Sequence, residues 1–167
     1  MSLTYEEGRE KFIQAWGNLG SSWGINKAMA QIQALLLVST EPLSTEDIME
    51  ELQMSRGNVN MNIRALEDWG IVSKAYKPGE RKAYFVTEKD IMKLALQVTK
   101  ERRRREIEPI LDVLTELKEV KEGDKEQVAE FQKVTKDISD FAGKVDGMLE
   151  KFVKSGKSWF YKLLMKL

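Results

Sequence analysis

The chain contains neither cysteine nor histidine among its 167 residues. A disulfide-stabilised scaffold and any zinc site built from those ligands are therefore excluded. The lack of histidine also removes the commonest general base, so an enzyme would depend on carboxylate, Lys, Tyr or Ser side chains. No nucleophile–base pair, phosphate loop or metal-binding loop is visible. We therefore predict no catalytic activity, no metal and no cofactor.

Long apolar runs and an excess of charge of one sign are absent as well. The longest apolar run, ALLLV, is far shorter than the roughly 20 residues that span a bilayer. The N-terminal sequence MSLTYEEGREK is acidic and polar, unlike a signal peptide. These features predict a cytoplasmic protein with no membrane partner. Because 27 basic and 27 acidic side chains cancel, only the local distribution of charge can indicate a charged ligand.

Apolar periodicity and helix-capping residues predict a largely helical N-terminal half, and 42% of the residues are hydrophobic, which is enough for a core. Thr4 is predicted to cap a first helix, and a second helix begins at Asn26 and ends at Glu41-Pro42. Ser44, followed by acidic side chains, is predicted to cap a short third helix.

The next segment, MSRGNVNMNIRALEDWG, has asparagine at alternate positions, a pattern that on its own favours a strand. On a helical wheel, however, Val59, Ile63 and Leu66 fall within about 60° of one another. Ser55 can cap the start of a helix, and Gly70 can end it with a positive φ. The segment is therefore predicted to be a helix.

The same wheel separates the three asparagines. Asn62 falls on the buried side, where a structural hydrogen bond is expected. Asn58 lies on the flank, in the first turn, where either a structural or an outward-facing role is open to it. Asn60 points away from the apolar face, together with Gly57, Met61 and Arg64. An outward asparagine presents a donor and an acceptor that match the N6/N7 edge of adenine.

Two β-rich runs, IVSKAY and AYFVT, follow this helix and are separated by the basic turn KPGERK. They predict a β-hairpin. Helix, turn, capped helix and basic hairpin is the order of a winged helix-turn-helix, whose second helix enters the major groove of DNA. Residues 53–87 carry six basic side chains against three acidic ones, although the whole chain is neutral. An ordinary helical hairpin in a core is the alternative.

Residues 43–87, which read LSTEDIMEELQMSRGNVNMNIRALEDWGIVSKAYKPGERKAYFVT, resemble the DNA-binding domain of the GbsR branch of MarR-like regulators. With the preceding WGINKAMAQIQALL, the resemblance covers residues 12–90. It implies a homodimer that binds a palindromic operator in double-stranded DNA, with repression as the expected mode of control. A small-molecule effector is left open, since no ligand-binding motif can be matched. The predicted DNA-contacting residues are Ser44, Ser55, Arg56, Gly57, Asn58, Asn60, Met61, Arg64, Lys77, Arg81 and Lys82.

From Glu88 onward charged residues dominate and glycine is rare. We expect a long helix over about 88–107, a further helical piece with Pro109 in its first turn or at a kink, and a break around Gly123. The final helix is expected to be interrupted at Ser155-Gly156.

The final helix carries large apolar residues at alternating spacings of three and four, which is a heptad pattern. This seam can pack against the preceding helices of the same chain or against a second copy. Dimerisation is favoured, because a palindromic site requires two-fold symmetry. The predicted dimerisation residues are Phe131, Val134, Ile138, Phe141, Val145, Met148 and Phe152.

The predicted architecture is thus mostly α with a small β-hairpin wing. Residues 1–87 form the N-terminal helices and winged helix-turn-helix domain, and residues 88–167 form a helical dimerisation and regulatory region. The run ERRRRE, 101–106, is interpreted as a helix face balanced by flanking acids rather than as a nucleic-acid contact. The alternative function is a winged-helix protein–protein interaction module without specific DNA binding.

Overall fold

The computed structural model describes residues 2–164 of the chain, with side chains described for residues 2–154. The chain forms two compact units, one ending at Ile91 and the other beginning at Met92. Helices predominate and a small antiparallel sheet accompanies them in the first unit, as predicted. None of the helices in the described part combines the length and apolarity that a bilayer crossing requires.

The helices and strands follow one another in the order predicted for a winged helix-turn-helix. The elements of the first unit are α1 (Tyr5–Ser22), α2 (Lys27–Val38), β1 (Leu43–Ser44), α3 (Thr45–Leu52), α4 (Arg56–Asp68), β2 (Val72–Ala75) and β3 (Tyr84–Thr87). From the unit boundary onward they are α5 (Ile91–Arg102), a π-helical turn (Arg103–Ile107), α6 (Glu108–Leu117) and α7 (Lys125–Leu164).

The three predicted N-caps, Thr4, Ser44 and Ser55, are confirmed, and the helix predicted to begin at Asn26 is capped by that residue. The Asn26 side chain accepts from the backbone N–H of Ala28 at 2.9 Å, and Ser55 Oγ accepts from that of Asn58 at 3.3 Å. Thr4 and Ser44 each form a reciprocal capping box with the acidic residue three positions later. Each cap satisfies backbone donors that the first helical turn leaves without a partner.

The connection between α2 and α3 differs from the prediction. Helix α2 ends at Val38 rather than at Glu41-Pro42, because Ser39 adopts extended backbone geometry and its hydroxyl donates to the Leu35 carbonyl at 2.7 Å. The freed segment supplies β1, a strand that the sequence did not predict. A strand of two residues is too short to give a periodic signal.

The sheet and the helices share one core. The strand order is β1-β3-β2, all antiparallel, with Leu43 opposite Phe85. The apolar face predicted for α4 is confirmed, since Val59 is 0% exposed and Leu66 is 1% exposed. The side chains of Ile32 and Leu35 on α2 and Ile48 on α3 are likewise fully buried. Their packing fixes which side of α4 remains outside.

In the second unit the helices are more continuous than predicted. Helix α5 begins at Ile91 rather than Glu88, and a π-helical turn joins it to α6, whose first turn contains Pro109. The predicted break at Gly123 is confirmed by a φ of 137°. The predicted interruption at Ser155-Gly156 is wrong, since α7 continues to Leu164. One glycine costs a helix only about 1 kcal/mol, which a long helix tolerates.

The arginines of the ERRRRE run are paired with acidic side chains of the same unit, in agreement with the sequence interpretation. Glu101 is only 6% exposed and accepts from both Arg104 and Arg105. The guanidinium of Arg104, chiefly, holds the pKa of this carboxyl below its usual range. Arg103 makes a bidentate pair with Asp146 on α7, with Nε 2.6 Å from Oδ1.

Two asparagines on α4 are expected to differ in their contribution to stability. Asn62 is 3% exposed, and its amide donates to the Asn58 carbonyl and side chain at 2.9 and 2.7 Å. Asn62→Ala should therefore lower the free energy of unfolding by about 1–2 kcal/mol, since partly buried acceptors lose their donor. Asn60→Ala, the control on the outer side, should change it by no more than about 0.5 kcal/mol. Urea denaturation measures both; equal losses would contradict the assignment of faces.

Candidate nucleic-acid interface

The side of α4 opposite the core is open. Gly57, Met61 and Arg64 are exposed there, and Met61 retains 60% of its accessible surface. No ion pair holds Arg64 among the residues that the structure describes. A large apolar side chain and an unpaired guanidinium on one outer helix face are the groups that contact thymine methyls and guanine or phosphate oxygens.

The three asparagines of α4 differ in their hydrogen bonds. Asn62 is buried, as predicted, and its amide uses the side-chain oxygen of Asn58 as an acceptor at 2.7 Å. Asn60 is half-buried, and its Oδ1 accepts from the hydroxyl of Thr45 at 3.3 Å. That bond orients the Asn60 amide from the first residue of α3, and the second lone pair of Oδ1 remains for an outside donor.

Gly57 lies in the first turn of α4, where the surrounding residues leave room for a larger side chain. A Cβ added there would meet no atom within 4 Å among the described residues. A helical glycine costs about 0.5–1 kcal/mol relative to alanine. No contact among the described residues therefore requires a glycine at this position. The adjacent Ser55 cap and the first N–H groups of α4 make the same end suitable for an anion.

Arg56, at the start of α4, is paired within the protein. Its Nη1 lies 2.7 Å from Oε1 of Glu46, and both side chains are more than half exposed. The pKa of Glu46 is held below its usual range by its own backbone N–H and then by this guanidinium. Glu46 therefore stays ionised at neutral pH, and the pair is a surface contact that can exchange partners.

The hairpin turn closes on proline and glycine, as the sequence predicted. The Glu80 backbone N–H donates to the Lys77 carbonyl at 3.1 Å across Pro78 and Gly79, and Gly79 has a φ of 82°. These features belong to a type II turn. The phenol of Tyr84 at the start of β3 donates to the Glu80 carboxylate and ties the turn to the strand.

Tyr84 also organises the cations of the hairpin. The Nζ atoms of Lys77 and Lys82 lie 4.4 and 5.1 Å from its ring centroid. A hydrogen bond with the Tyr84 phenol, chiefly, raises the pKa of Lys82, while the bond to Glu80 raises the pKa of Tyr84. Arg81 is exposed, and the described residues provide it with no ion pair. Cation–π contacts thus position two lysines and leave the arginine free to extend.

Ser44 does not belong to this open surface. It is 0% exposed, and its hydroxyl and backbone N–H both donate to Asp47 Oδ2 at 2.7 Å. The hydroxyl also receives the Asp47 backbone N–H at 3.3 Å. Ser44 is a buried capping residue, so its inclusion among the predicted DNA-contacting residues is corrected.

Three residues of the site were missed in the sequence. Thr45 and Glu46 were regarded only as part of a helix start, and Tyr84 only as a strand residue. Each acts on a partner from another element: Asn60, Arg56 and the hairpin lysines respectively. No local pattern indicates such contacts, although an aromatic residue beside the basic turn is a weak signal for Tyr84.

These residues form one surface on the first unit, hereafter the α4–wing surface. It combines the outer side of α4, the start of α3 and the hairpin turn. Its groups are amide, guanidinium, ammonium and thioether, with two carboxylates of α3 beside them. Such a surface can bind a polyanion and read hydrogen-bonding edges on it.

Comparisons with known proteins agree with this geometry. Residues 30–74 match the family described as bacterial regulatory protein, arsR family. Over 88 residues the chain is 28% identical to the HTH-type transcriptional repressor GbsR of Bacillus subtilis (strain 168). That alignment covers 53% of this chain and 48% of the repressor, so the chain spans about half the length of the curated relative that it matches.

A solved structure of a transcriptional regulator has the same fold. It superposes with a TM-score of 0.58 at 18% identity, covering 86% of this chain and 99% of the other. At that identity the match establishes the fold alone. Taken with the capped helices and the hairpin of the first unit, the comparisons confirm the predicted winged helix-turn-helix fold and show similarity in sequence to the repressor GbsR.

Proposed function

We propose that this protein is a sequence-specific DNA-binding transcriptional regulator, with repression as its mode of control, and that it acts as a homodimer on a palindromic operator. The observation that carries the proposal is the open outer side of α4. Gly57, Met61 and Arg64 face outward beside a basic hairpin, while the opposite side of the same helix is sealed in the core. That is the arrangement by which a reading helix enters the major groove.

The residues of the α4–wing surface divide into base-reading and phosphate-binding groups. Asn60 suits the N6/N7 edge of adenine, Met61 a thymine methyl, and Arg64 a guanine or a phosphate. Ser55 with the start of α4 suits a phosphate. Arg81 is the hairpin cation with the greatest freedom to reach a phosphate or the minor groove, whereas Lys77 and Lys82 add positive charge from fixed positions.

Exposed apolar surface on α7 supports the dimer. Five of the seven predicted seam residues are substantially exposed: Phe131 at 39%, Val134 at 45%, Ile138 at 47%, Phe141 at 69% and Met148 at 60%. The seam from Phe131 to Phe152 would extend over about 30 Å of helix. An exposed apolar stripe of that length marks an interaction surface, and the same stripe on a second copy of the helix has the spacing needed to pack against it.

The side of α7 with lower exposure supports the same conclusion. Half-buried positions follow a second heptad series made largely of polar and small residues: Val128, Gln132, Thr135, Ser139, Ala142, Asp146, Leu149 and Val153. Gln132 donates to the Val120 carbonyl at 2.8 Å, and Asp146 pairs with Arg103. The chain thus uses its more polar series for internal contacts, and the exposed seam residues Phe131, Val134, Ile138, Phe141 and Met148 are left for another molecule.

The proposal divides the chain by task. Residues 1–87 carry DNA recognition, and residues 88–167 carry dimerisation and any regulation by an effector, whose identity stays open. A protein that regulates transcription on chromosomal DNA works in the cytoplasm of a bacterium or archaeon. No catalytic role is part of the proposal.

Selection of bound duplexes from a random pool tests the function directly. The expected product is a palindrome, with an affinity that falls steeply with salt because counterions are released from phosphates. Arg64→Ala should weaken binding to the selected duplex by roughly 1–3 kcal/mol, while the free energy of unfolding of the protein stays unchanged. Failure to enrich any duplex, or binding insensitive to salt, would favour the protein–protein interaction module instead.

Gly57→Ala should separate stability from binding. The substitution should raise the unfolding free energy by about 0.5–1 kcal/mol, because alanine is the better helix former and the new Cβ has space. It should nevertheless weaken duplex binding, since the methyl group keeps α4 from close approach. Gly8→Ala in α1 is the matched control, for its Cβ also meets nothing within 4 Å. Comparable stabilisation with unchanged affinity is expected there, and wild-type affinity of Gly57→Ala would exclude a close approach.

Phe141→Glu should convert the dimer to a monomer. A carboxylate at the most exposed seam position would be buried without a partner in a paired seam. Sedimentation equilibrium should give about twice the chain mass for the wild type and one chain mass for the variant. Lys133→Glu, exposed and outside the seam, should remain dimeric. A wild type that stays monomeric, or a dimer that survives Phe141→Glu, would count against this seam as the interface.

A further inference from the structure

Glu46 is an acidic residue at the centre of the basic α4–wing surface. Its carboxylate contacts the Arg56 guanidinium at 2.7 Å, and the charge of Lys82 in the hairpin helps to lower its pKa. It thus stands between the two elements that carry the proposed phosphate contacts. A carboxylate in that place repels a polyanion ligand, so its presence on this surface calls for an explanation.

The position of Glu46 is fixed by the start of α3. It lies in the first turn, next to the Ser44–Asp47 capping box, and its carboxylate accepts its own backbone N–H. The positive end of the helix dipole favours an anion there. The carboxylate is therefore held in place, whereas Arg56 reaches it with a long side chain that is 58% exposed. Of the two partners, Arg56 has the longer reach, although the Glu46 side chain is also 52% exposed.

Arginine binds carboxylate and phosphate through the same planar set of donors. The guanidinium of Arg56 that now holds Glu46 is thus the group that a DNA phosphate would use. An exposed ion pair of this kind is weak enough to open when a phosphate arrives. Once it opens, Glu46 remains beside the phosphate as an unpaired negative charge.

We propose that Glu46 is a built-in competitor of the DNA backbone: in the free protein its carboxylate occupies Arg56, and DNA must displace it to make the Arg56–phosphate contact. The inference rests on the proposed function and assigns Glu46 a task that the function does not require. Its consequence is a weaker sequence-independent attraction to DNA. Fewer molecules are then held on non-operator duplex, and binding depends more on the base-reading groups of α4.

Glu46→Gln tests this role with minimal change of shape. Titration of a random-sequence duplex, followed by fluorescence anisotropy at several salt concentrations, should give roughly two- to tenfold tighter binding at low salt. The slope of the logarithm of the affinity against the logarithm of the salt concentration should become more negative by up to about one. The reason is that Arg56 now neutralises a phosphate without leaving a carboxylate beside it.

Two further variants make the result specific to the pair. Glu50→Gln removes the same charge from an exposed position on α3 and should change affinity much less, because Glu50 has no ion pair among the described residues. In an Arg56→Ala background, Glu46→Gln should give a clearly smaller gain, since only the repulsion between the carboxylate and the phosphate is relieved and no guanidinium is released. Glu46→Gln also removes the favourable interaction of the carboxylate with the dipole of α3. The midpoint of thermal unfolding of this variant is therefore measured, so that a loss of stability is not mistaken for an effect on binding.

The outcomes distinguish this inference from the function on which it rests. A wild-type protein that binds no duplex at any salt concentration contradicts the proposed function. If the wild type binds with a steep salt dependence, three results overturn the inference alone. These are an unchanged or weakened random-duplex affinity in Glu46→Gln, an equal gain in Glu50→Gln, or a gain of undiminished size without Arg56.

Discussion

The burial of one apolar stripe on α4 determines everything that the α4–wing surface can do. Val59 and Leu66 are almost fully enclosed, with Ile63 between them at 2% exposure. Because a helix is a rigid body with a fixed angle per residue, enclosing one side sets the direction of every side chain on the other. Gly57, Met61 and Arg64 acquire their outward orientation in this way, and the Asn60 side chain is oriented further by its hydrogen bond with Thr45. Loss of the stripe would rotate or release the helix and remove the surface.

The sequence was sufficient to predict this arrangement for a physical reason. Capping residues, helix periodicity and the Pro-Gly turn are local signals, and each of them specifies geometry within a few residues. Thr4, Ser44 and Ser55 cap helices where expected, the second helix begins at Asn26 as expected, and the hairpin closes at Gly79. The family resemblance rested on the same stretch, and the comparisons support it there.

Two of the errors arose where the determining contact is distant in sequence. The pairing of β1 with β3 joins Leu43 to Phe85, and no pattern in a two-residue strand indicates it. Charge counted over residues 53–87 omitted Glu46, which the fold brings against Arg56. A buried Ser44 looked like a free hydroxyl because capping and phosphate binding call for the same residue type. Helix α7 continues past Gly156, because the small cost of one glycine does not end a helix that is long on both sides of it.

The fixed charges beside α4 also limit what the protein can sense. The carboxyls of Glu46 and Asp47 lose their protons more readily than usual, the latter chiefly through the Ser44 hydroxyl, while Lys82 and Tyr84 hold theirs more firmly. The chain has no histidine, the side chain that ordinarily titrates near neutrality. Modest acidification or alkalinisation of the cell therefore leaves these four side chains in the same protonation states. Ionic strength, which screens them, is then the bulk property of the medium that can adjust the attraction of this surface for a polyanion.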